Sequence, residues 1–227
     1  MIRIELDQRA DLETYRDFSN LTVGGADFGK KIRAAHPAIS VENFQDYIRA
    51  YYQDNEDLLV RGVREIQDAV GATSQDFFAA VHSVFDEDYS QNAYVGALSI
   101  FDCNPRFVET QSFQVFFQRD LAGKVGVVYH EILHFVFFDY CVRHCADAVR
   151  GRSVNDGSYW ELSEILNVIL LNQPAFQAIV GRPEKLFYPA LAEIFPEIEK
   201  IWNDRPDMLP FVEKSLRVLD ERKINKN

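Results

Sequence analysis

Apolar residues recur at helical spacing over much of the chain. In residues 41–70 they fall three or four positions apart and stop before Gly71, which predicts a helix that ends there. Thr73-Ser74 follows, with hydroxyl groups able to cap a new helix over the apolar positions of residues 77–84. Nearer the N-terminus, Gly24-Gly25 predicts a turn.

The middle of the chain has a different pattern. Residues 94–101 and 113–117 are rich in β-branched and aromatic side chains, and Asp102, Asn104 and Pro105 separate them. Such side chains favour strands and such breaks favour turns. We therefore expect two or three short β-strands here.

Two long apolar helices are predicted after the strands. The first begins after Asp120, a residue type that caps helix N-termini, and continues without proline until Gly151. The second covers residues 159–171 and ends near Pro174. Two or three further helices are predicted from Pro183 onward.

These elements predict an α+β fold that is predominantly helical, with a small sheet preceding the first long apolar helix. No repeat, low-complexity segment or linker divides the chain, so residues 1–227 are predicted to form one domain. Within it we distinguish an N-terminal helical part (about 1–90), a core (about 94–172) and C-terminal helices (about 175–220).

Composition and charge narrow the classes of function. The chain has 227 residues, 47% of them hydrophobic, and a net charge of −11 with a pI near 4.9. An acidic protein is a poor partner for nucleic acid, because phosphate binding needs clustered lysines and arginines. Residues 1–7 are charged and lack the apolar segment of a secretory signal, and three cysteines cannot all pair in disulfides. We expect a cytoplasmic protein.

The most apolar stretch of the chain contains a polar motif. His130, Glu131 and His134 form the pattern His-Glu-x-x-His, and with Asp139 they interrupt the apolar run, so no membrane-spanning helix is predicted. Residues four apart lie on one face of a helix, so the two imidazoles can point at one tetrahedral zinc ion. Glu131 flanks that face, from where its carboxylate can reach a water molecule on the metal. The alternative is a pair of core histidines that bond to backbone carbonyls.

This motif within an apolar helix resembles the active-site helix of the zincin metallopeptidases. The resemblance implies a small sheet directly before the helix, with an edge strand that pairs with an extended substrate. In the gluzincin group the third zinc ligand is a glutamate on a downstream helix, and residues 159–171 offer Glu161 and Glu164. We favour Glu164, which lies deeper in the apolar part, and keep Glu161 as the alternative. No histidine follows His144, so the longer metzincin motif is absent.

By this resemblance the protein is a zinc-dependent metallopeptidase that acts on a peptide or protein, with Glu131 as the general base. Tyr159 and Tyr188 are candidates for stabilising the oxyanion, and Asn167 for orienting a ligand. Substrate specificity, endo- or exopeptidase action and oligomeric state are left open. One alternative is an inactive zincin-fold protein that binds metal as a binding or regulatory module. Another is a helical structural protein with an accidental motif.

A second metal site further along the same helix is not predicted. Cys141, His144 and Cys145 have residue types that bind metals, but Cys141 lies roughly 10 Å beyond His134 along a helix. It cannot complete the same site. We expect packing thiols and a surface histidine.

Overall fold

Ten helices and a four-stranded sheet make up most of residues 1–204 and 207–224, which the structure, a computed structural model, describes. The helices are α1 (Gln8–Phe18), α2 (Phe28–Ala35), α3 (Phe44–Asp54), α4 (Glu56–Phe85), α5 (Leu121–His144), α6 (Ala146–Val149), α7 (Gly157–Leu171), α8 (Pro174–Val180), α9 (Phe195–Asn203) and α10 (Met208–Ile224). The strands are β1 (Ile2–Leu6), β2 (Thr22–Val23), β3 (Ala26–Asp27), β4 (Tyr94–Ser99), β5 (Arg106–Phe107) and β6 (Ser112–Phe116). The predicted α+β class, mainly helical with a small sheet, is confirmed.

The sheet has the strand order β1-β4-β6-β5. β1 and β6 both run parallel to β4, whereas β5 pairs antiparallel with β6 and forms one edge. The strands β4, β5 and β6 confirm the prediction for the middle of the chain. β1 lies in the part predicted to be helical. Only Ile2 and Ile4 are buried in this short strand, so the local pattern is too weak to reveal a strand whose partner begins at Tyr94.

The two glycines near the N-terminus form the turn of the β2–β3 hairpin, which confirms the predicted turn. Gly24 and Gly25 have φ angles of +57° and +85°, which side chains with a Cβ rarely adopt. Gly24 also allows a close approach, because an added Cβ would lie 2.5 Å from Cδ1 of Tyr188. The hairpin therefore packs directly against the segment that follows α8.

α4 is a continuous helix of 30 residues, so the predicted end at Gly71 is wrong. Gly71 faces solvent, and it costs only about 1 kcal/mol relative to alanine in a helix. Burial of Val70 and Phe77 on either side of it outweighs that cost. Thr73, predicted to begin a new helix, donates its hydroxyl to the carbonyl of Ala69 within the same helix, at 2.9 Å.

α5 begins at the predicted position. The carboxylate of Asp120 accepts a hydrogen bond from the amide of Gly123 at 2.6 Å and caps the helix. The helix ends at His144, so its predicted continuation to Gly151 is wrong. The chain leaves the helical conformation at Cys145 and buries that side chain before α6 begins.

α5 is long and apolar enough to cross a membrane by length and composition, and no other helix among the described residues is. Its most apolar window has a mean hydropathy of 1.3, and 72% of that window is buried inside the fold. The core helix of a folded domain meets the same criteria. α4, β6 and α7 all pack against α5, which makes it the central helix of the core.

α7 packs antiparallel against α5. Tyr159, near the start of α7, approaches the carbonyl of Phe138 at 3.5 Å, whereas Asn167 donates to the carbonyl of His130 at 2.9 Å. Residues later in α7 therefore contact residues earlier in α5, as expected of an antiparallel pair of helices. The predicted helix, ending before Pro174, is confirmed.

Candidate metal centre

Two imidazoles and one carboxylate meet where α5 and α7 pack together. The Nε2 atoms of His130 and His134 are 3.1 Å apart; Oε2 of Glu164 lies 3.4 Å from Nε2 of His130, and Oε1 lies 3.4 Å from Nε2 of His134. The histidines share a face of α5 because they are four residues apart, and the antiparallel packing places Glu164 opposite them. Within residues 1–204 and 207–224, no other group of three or more His, Cys, Asp or Glu side chains lies close enough to bind a metal ion.

The spacing of these atoms fits a metal ion. In a tetrahedral site with bonds of about 2.0–2.2 Å, the ligand atoms are separated by about 3.3–3.5 Å. The Nε2–Nε2 separation of 3.1 Å and the two contacts of 3.4 Å, one to each oxygen of Glu164, come near that range, and one ligand atom from each residue lies within 4.8 Å of the other two. His130 and Glu164 also line a cavity, which leaves a further coordination position open. The group could therefore hold a metal ion, and several divalent metals accept such donors.

Polar atoms around the cluster are incompletely paired. Nε2 of His130 faces Nε2 of His134, and two such nitrogens can share only one proton. Nδ1 of His134 and Oε2 of Glu131 are buried and have no hydrogen-bond partner among the described residues. Because buried polar atoms are usually paired, the facing Nε2 atoms and the unpaired oxygen of Glu131 point to a ligand that completes the site, whereas Nδ1 of His134 lies on the other side of its ring and would stay unpaired.

The protonation states suit metal binding at two of the three positions. Burial lowers the pKa of His134 well below its usual value, and the charges of Arg106 and His130 lower it further. Burial raises the pKa of Glu164, but its hydrogen bond with His130 and the charge of Arg106 outweigh this and lower it overall. For His130, burial lowers the pKa, but the hydrogen bond with Glu164 and the charges of Glu131 and Glu164 raise it to about 9. A metal ion would have to displace that proton.

Glu131 lies beside the cluster with an unpaired oxygen. Its side chain lines the cavity, although only 6% of the residue is exposed. Burial raises the pKa of this carboxyl to about 7, while the charges of His130 and Arg106 act in the opposite direction. A carboxyl that titrates near neutrality can both accept and return a proton.

Arg106 is a site residue that the sequence pattern did not reveal. From the edge strand β5 its guanidinium donates to Glu164 at 3.1 Å and to the carbonyl of Val154 at 3.1 Å. Its carbon Cζ lies 5.7 Å from the ring centre of Phe138. The side chains of Arg106 and Glu164 are 11% and 6% exposed, so this ion pair is buried and orients the carboxylate. One arginine in a predicted turn carries no spacing signal that could have found it.

The cavity beside the cluster has a volume of about 70 Å³ and contains both signs of charge. Its lining includes Arg119, Glu184 and Tyr188 in addition to the motif residues. Of the two tyrosines predicted as oxyanion donors, only Tyr188 is part of this lining, whereas Tyr159 is buried against the carbonyl of Phe138. Burial and the negative charge of Glu164 raise the pKa of Tyr188, so its hydroxyl remains protonated.

The remaining predicted residues of α7 take different places. Asn167 donates a hydrogen bond to the backbone carbonyl of His130. It therefore positions the backbone at the first histidine and does not orient the side chain of a ligand, as had been predicted. Glu164 joins the cluster of three, while Glu161, the alternative third ligand, lies about one turn nearer the start of α7 and outside the cluster. Of the two glutamates that the sequence offered as the third ligand, the structure therefore places only Glu164 in the cluster.

The residues beyond the motif on α5 lie away from the cluster. Cys141 and Cys145 are buried free thiols. Nε2 of His144 forms a hydrogen bond with the carboxylate of Glu87, and the side chain of His144 is 45% exposed. Packing and surface contacts thus account for all three.

Comparison of the chain with protein-family models, with curated proteins and with solved structures finds no match. The function must therefore be argued from the geometry and chemistry of the cluster and the cavity beside it.

Proposed function

We propose that the protein is a zinc-dependent metallopeptidase of zincin type, resembling the gluzincins. The observation that carries this proposal is the cluster of His130, His134 and Glu164, with one ligand atom from each residue within 4.8 Å of the others, beside the buried carboxyl of Glu131. Two imidazoles and a carboxylate with one position left open are a donor set of catalytic zinc sites. The ligands come from the motif helix and a downstream helix, as the resemblance implies.

A zinc ion held by these residues would act as a Lewis acid toward the scissile carbonyl and lower the pKa of a water molecule. Glu131 would take a proton from the attacking water and pass it to the departing amine, because its buried carboxyl lies beside the cluster with one oxygen unpaired. Tyr188, which stays protonated, donates a hydrogen bond to the oxyanion. Arg106 holds the carboxylate of Glu164 in its ionised form.

The substrate in this proposal is an extended peptide or a protein segment. β5 is an edge strand, and its residue Arg106 lines the cavity while Phe107 is 37% exposed. An edge strand presents unpaired backbone groups to which a peptide can add as a further strand. This arrangement supports a substrate that lies along β5 and reaches the cluster.

Metal content is the first test of the proposal. Elemental mass spectrometry should find about one zinc ion per chain in the wild type and almost none in His130→Ala. His82→Ala is the matched control, because His82 is exposed on α4 and far along the chain from the motif. A wild-type protein that takes up no zinc after reconstitution would refute the proposal.

Hydrolysis is the second test. A mixture of peptides, followed by mass spectrometry, should be cleaved by the wild type and not by Glu131→Gln, while both proteins retain zinc. If the zinc-loaded wild type cleaves no peptide, the inactive metal-binding module becomes the better description. If Glu131→Gln cleaves as fast as the wild type, Glu131 is not the general base.

A further inference from the structure

The charges that line the cavity do not all cancel. Arg106 pairs with Glu164 at 3.1 Å, and Arg119 pairs with Asp102 at 2.6 Å. Glu184 also lines the cavity, but within residues 1–204 and 207–224 its carboxylate has no ion pair and no hydrogen bond. The charge of Glu184 contributes to the raised pKa of His130, but a metal ion would displace the proton of that histidine. Besides the proposed general base, the cavity thus contains one carboxylate without a direct ion pair among the described residues.

Glu184 is held in place although it lies in an irregular segment between α8 and α9. The side-chain amide of Asn172 donates to the carbonyl of Glu184 at 3.0 Å, and its oxygen accepts from the amide of Glu184 at 3.0 Å. Asn172 is the C-cap residue of α7, the helix that carries Glu164. One helix therefore positions both the proposed third ligand and this unpaired carboxylate.

The position of Glu184 relative to the histidines matches the start of a peptide. An added Cβ on Gly126 would lie 3.7 Å from Oε2 of Glu184, so the carboxylate is beside Gly126. His130 follows four residues later, about 6 Å along the helix. In a peptide the amino nitrogen and the carbonyl carbon of the first residue are about 2.5 Å apart. With an ion-pair contact of about 2.8 Å between Glu184 and that nitrogen, the carbonyl carbon would lie up to about 5 Å from the carboxylate. This is comparable to the distance of about 6 Å along the helix, so the first peptide bond would lie close to the cluster.

The cavity has room for a chain end and continues on one side. Its volume of about 70 Å³ would hold only a handful of water molecules, at roughly 10–15 Å³ each. A larger groove of about 280 Å³ adjoins it and shares Arg106 and Tyr188 as lining. Phe18, Phe28 and Trp160 give that groove apolar walls. The small cavity suits the beginning of a peptide, and the groove suits the residues that follow.

We propose that Glu184 binds the free α-amino group of a peptide, which makes the protein an aminopeptidase; this inference rests on the proposed function. In the reaction the water oxygen forms a bond to the carbonyl carbon of the first residue, and the bond from that carbon to nitrogen breaks. Both protons of the water end on the departing nitrogen, which leaves as an ammonium group, and the first residue leaves as a carboxylate. No oxidant or reductant is needed.

The test uses alanine tetrapeptide with a free or an acetylated amino terminus, with products identified by mass spectrometry. Zinc-loaded wild type should cleave the first bond of the free peptide and process the acetylated one at least about 100-fold more slowly. Glu184→Gln should lose about 100-fold in kcat/KM on the free peptide, mainly through KM, with unchanged zinc content and unchanged activity on the acetylated peptide. Glu199→Gln, at an exposed position on α9, is the matched control and should behave as wild type.

A binding measurement gives a readout that does not depend on turnover. In Glu131→Gln protein, calorimetry should find tighter binding of the free tetrapeptide than of the acetylated one, and adding Glu184→Gln should abolish the difference. Equal cleavage of both peptides, or cleavage at internal bonds, would overturn the role of Glu184 while leaving the peptidase proposal intact. If zinc-loaded wild type cleaves neither peptide, the proposed function itself fails, and this inference fails with it.

Discussion

Asp11 and Glu131 are both buried carboxyl groups, but the protein treats them differently. Asp11 on α1 accepts hydrogen bonds from the hydroxyl of Tyr52 at 2.7 Å, from the amide of Ile100 at 3.0 Å and from the hydroxyl of Ser99. Glu131 on α5 is similarly buried, yet its Oε2 has no hydrogen-bond partner among the described residues. Both oxygens of Asp11 accept hydrogen bonds, whereas one oxygen of Glu131 accepts none among the described residues.

The pKa does not distinguish these two groups, but the completeness of their hydrogen bonding does. Burial raises the pKa of Asp11 to about 6 and that of Glu131 to about 7. Three donors satisfy Asp11 and join α1 to α3 and β4, which is a structural role. Glu131 has an unused oxygen next to a cavity, as expected of a group whose partner comes from outside. A shifted pKa alone would have marked both as functional.

The largest expected effect separates the two carboxyl groups by function. Glu131→Gln should lower kcat for peptide hydrolysis by about 10⁴-fold, because the amide cannot accept a proton, while the free energy of unfolding stays near that of the wild type. Asp11→Asn is the counterpart and should lower the free energy of unfolding with kcat unchanged. Steady-state kinetics and urea unfolding of both variants test this. Equal losses of activity in the two variants would remove the distinction.

Metal binding at the cluster beside Glu131 should stabilise the protein, and the size of this stabilisation should not depend on Asp11. Free zinc at about 1,000 times its Kd adds about 4 kcal/mol to the free energy of unfolding, which raises Tm by about 10 °C in a domain of this size. The wild type and Asp11→Asn should show the same rise, and a chelator should reverse it. His134→Ala, which removes a buried member of the cluster, should show no rise. A rise in His134→Ala would locate the metal elsewhere.

Asp11 predicts a distinct dependence of stability on pH. Its pKa is 3.8 when exposed and about 6 in the fold, because burial favours the neutral acid. The stabilisation that this difference gives is complete below about pH 4 and is lost as the pH rises through 6. The free energy of unfolding of the wild type minus that of Asp11→Asn should therefore fall by about 3 kcal/mol from pH 4 to pH 7. Urea unfolding at several pH values tests this, and a flat difference would contradict it.

The elements and residues that the sequence predicted are those fixed by local geometry. His130 and His134 share a helix face whatever surrounds them, and Glu164 follows from the apolar pattern of α7. Arg106 reaches the cavity because its two-residue strand, β5, pairs with β6. Glu184 reaches it because the side chain of Asn172 forms hydrogen bonds with the backbone of the irregular segment that contains Glu184. No periodicity in the sequence encodes either contact.

The fold differs from the prediction for a related reason. Gly71 lowers the local helix propensity, but burial of Val70 and Phe77 in the core keeps α4 helical at this position. β1 exists because β4 offers it a partner from Tyr94 onward, far along the chain. In both regions long-range contacts decide what a short local pattern cannot.

The smallest expected effect tests whether the N-terminal hairpin supports the site. Gly24→Ala places a Cβ 2.5 Å from Cδ1 of Tyr188, so the ring must move away from its position in the cavity lining. Gly151 has a similar φ of +75° with no atom near its Cβ position, so Gly151→Ala is the matched control. Both variants should lose about 1 kcal/mol of stability from the left-handed backbone.

Only Gly24→Ala should lower kcat/KM, by about 10-fold, since displacing a group at a catalytic site by an ångström is costly. Unfolding curves and peptide kinetics measured on both proteins provide the comparison. If the two variants lose stability equally and neither loses activity, Tyr188 tolerates displacement. Its assignment as the oxyanion donor would then be wrong, whereas the roles of Glu131 and the cluster would stand on their own evidence.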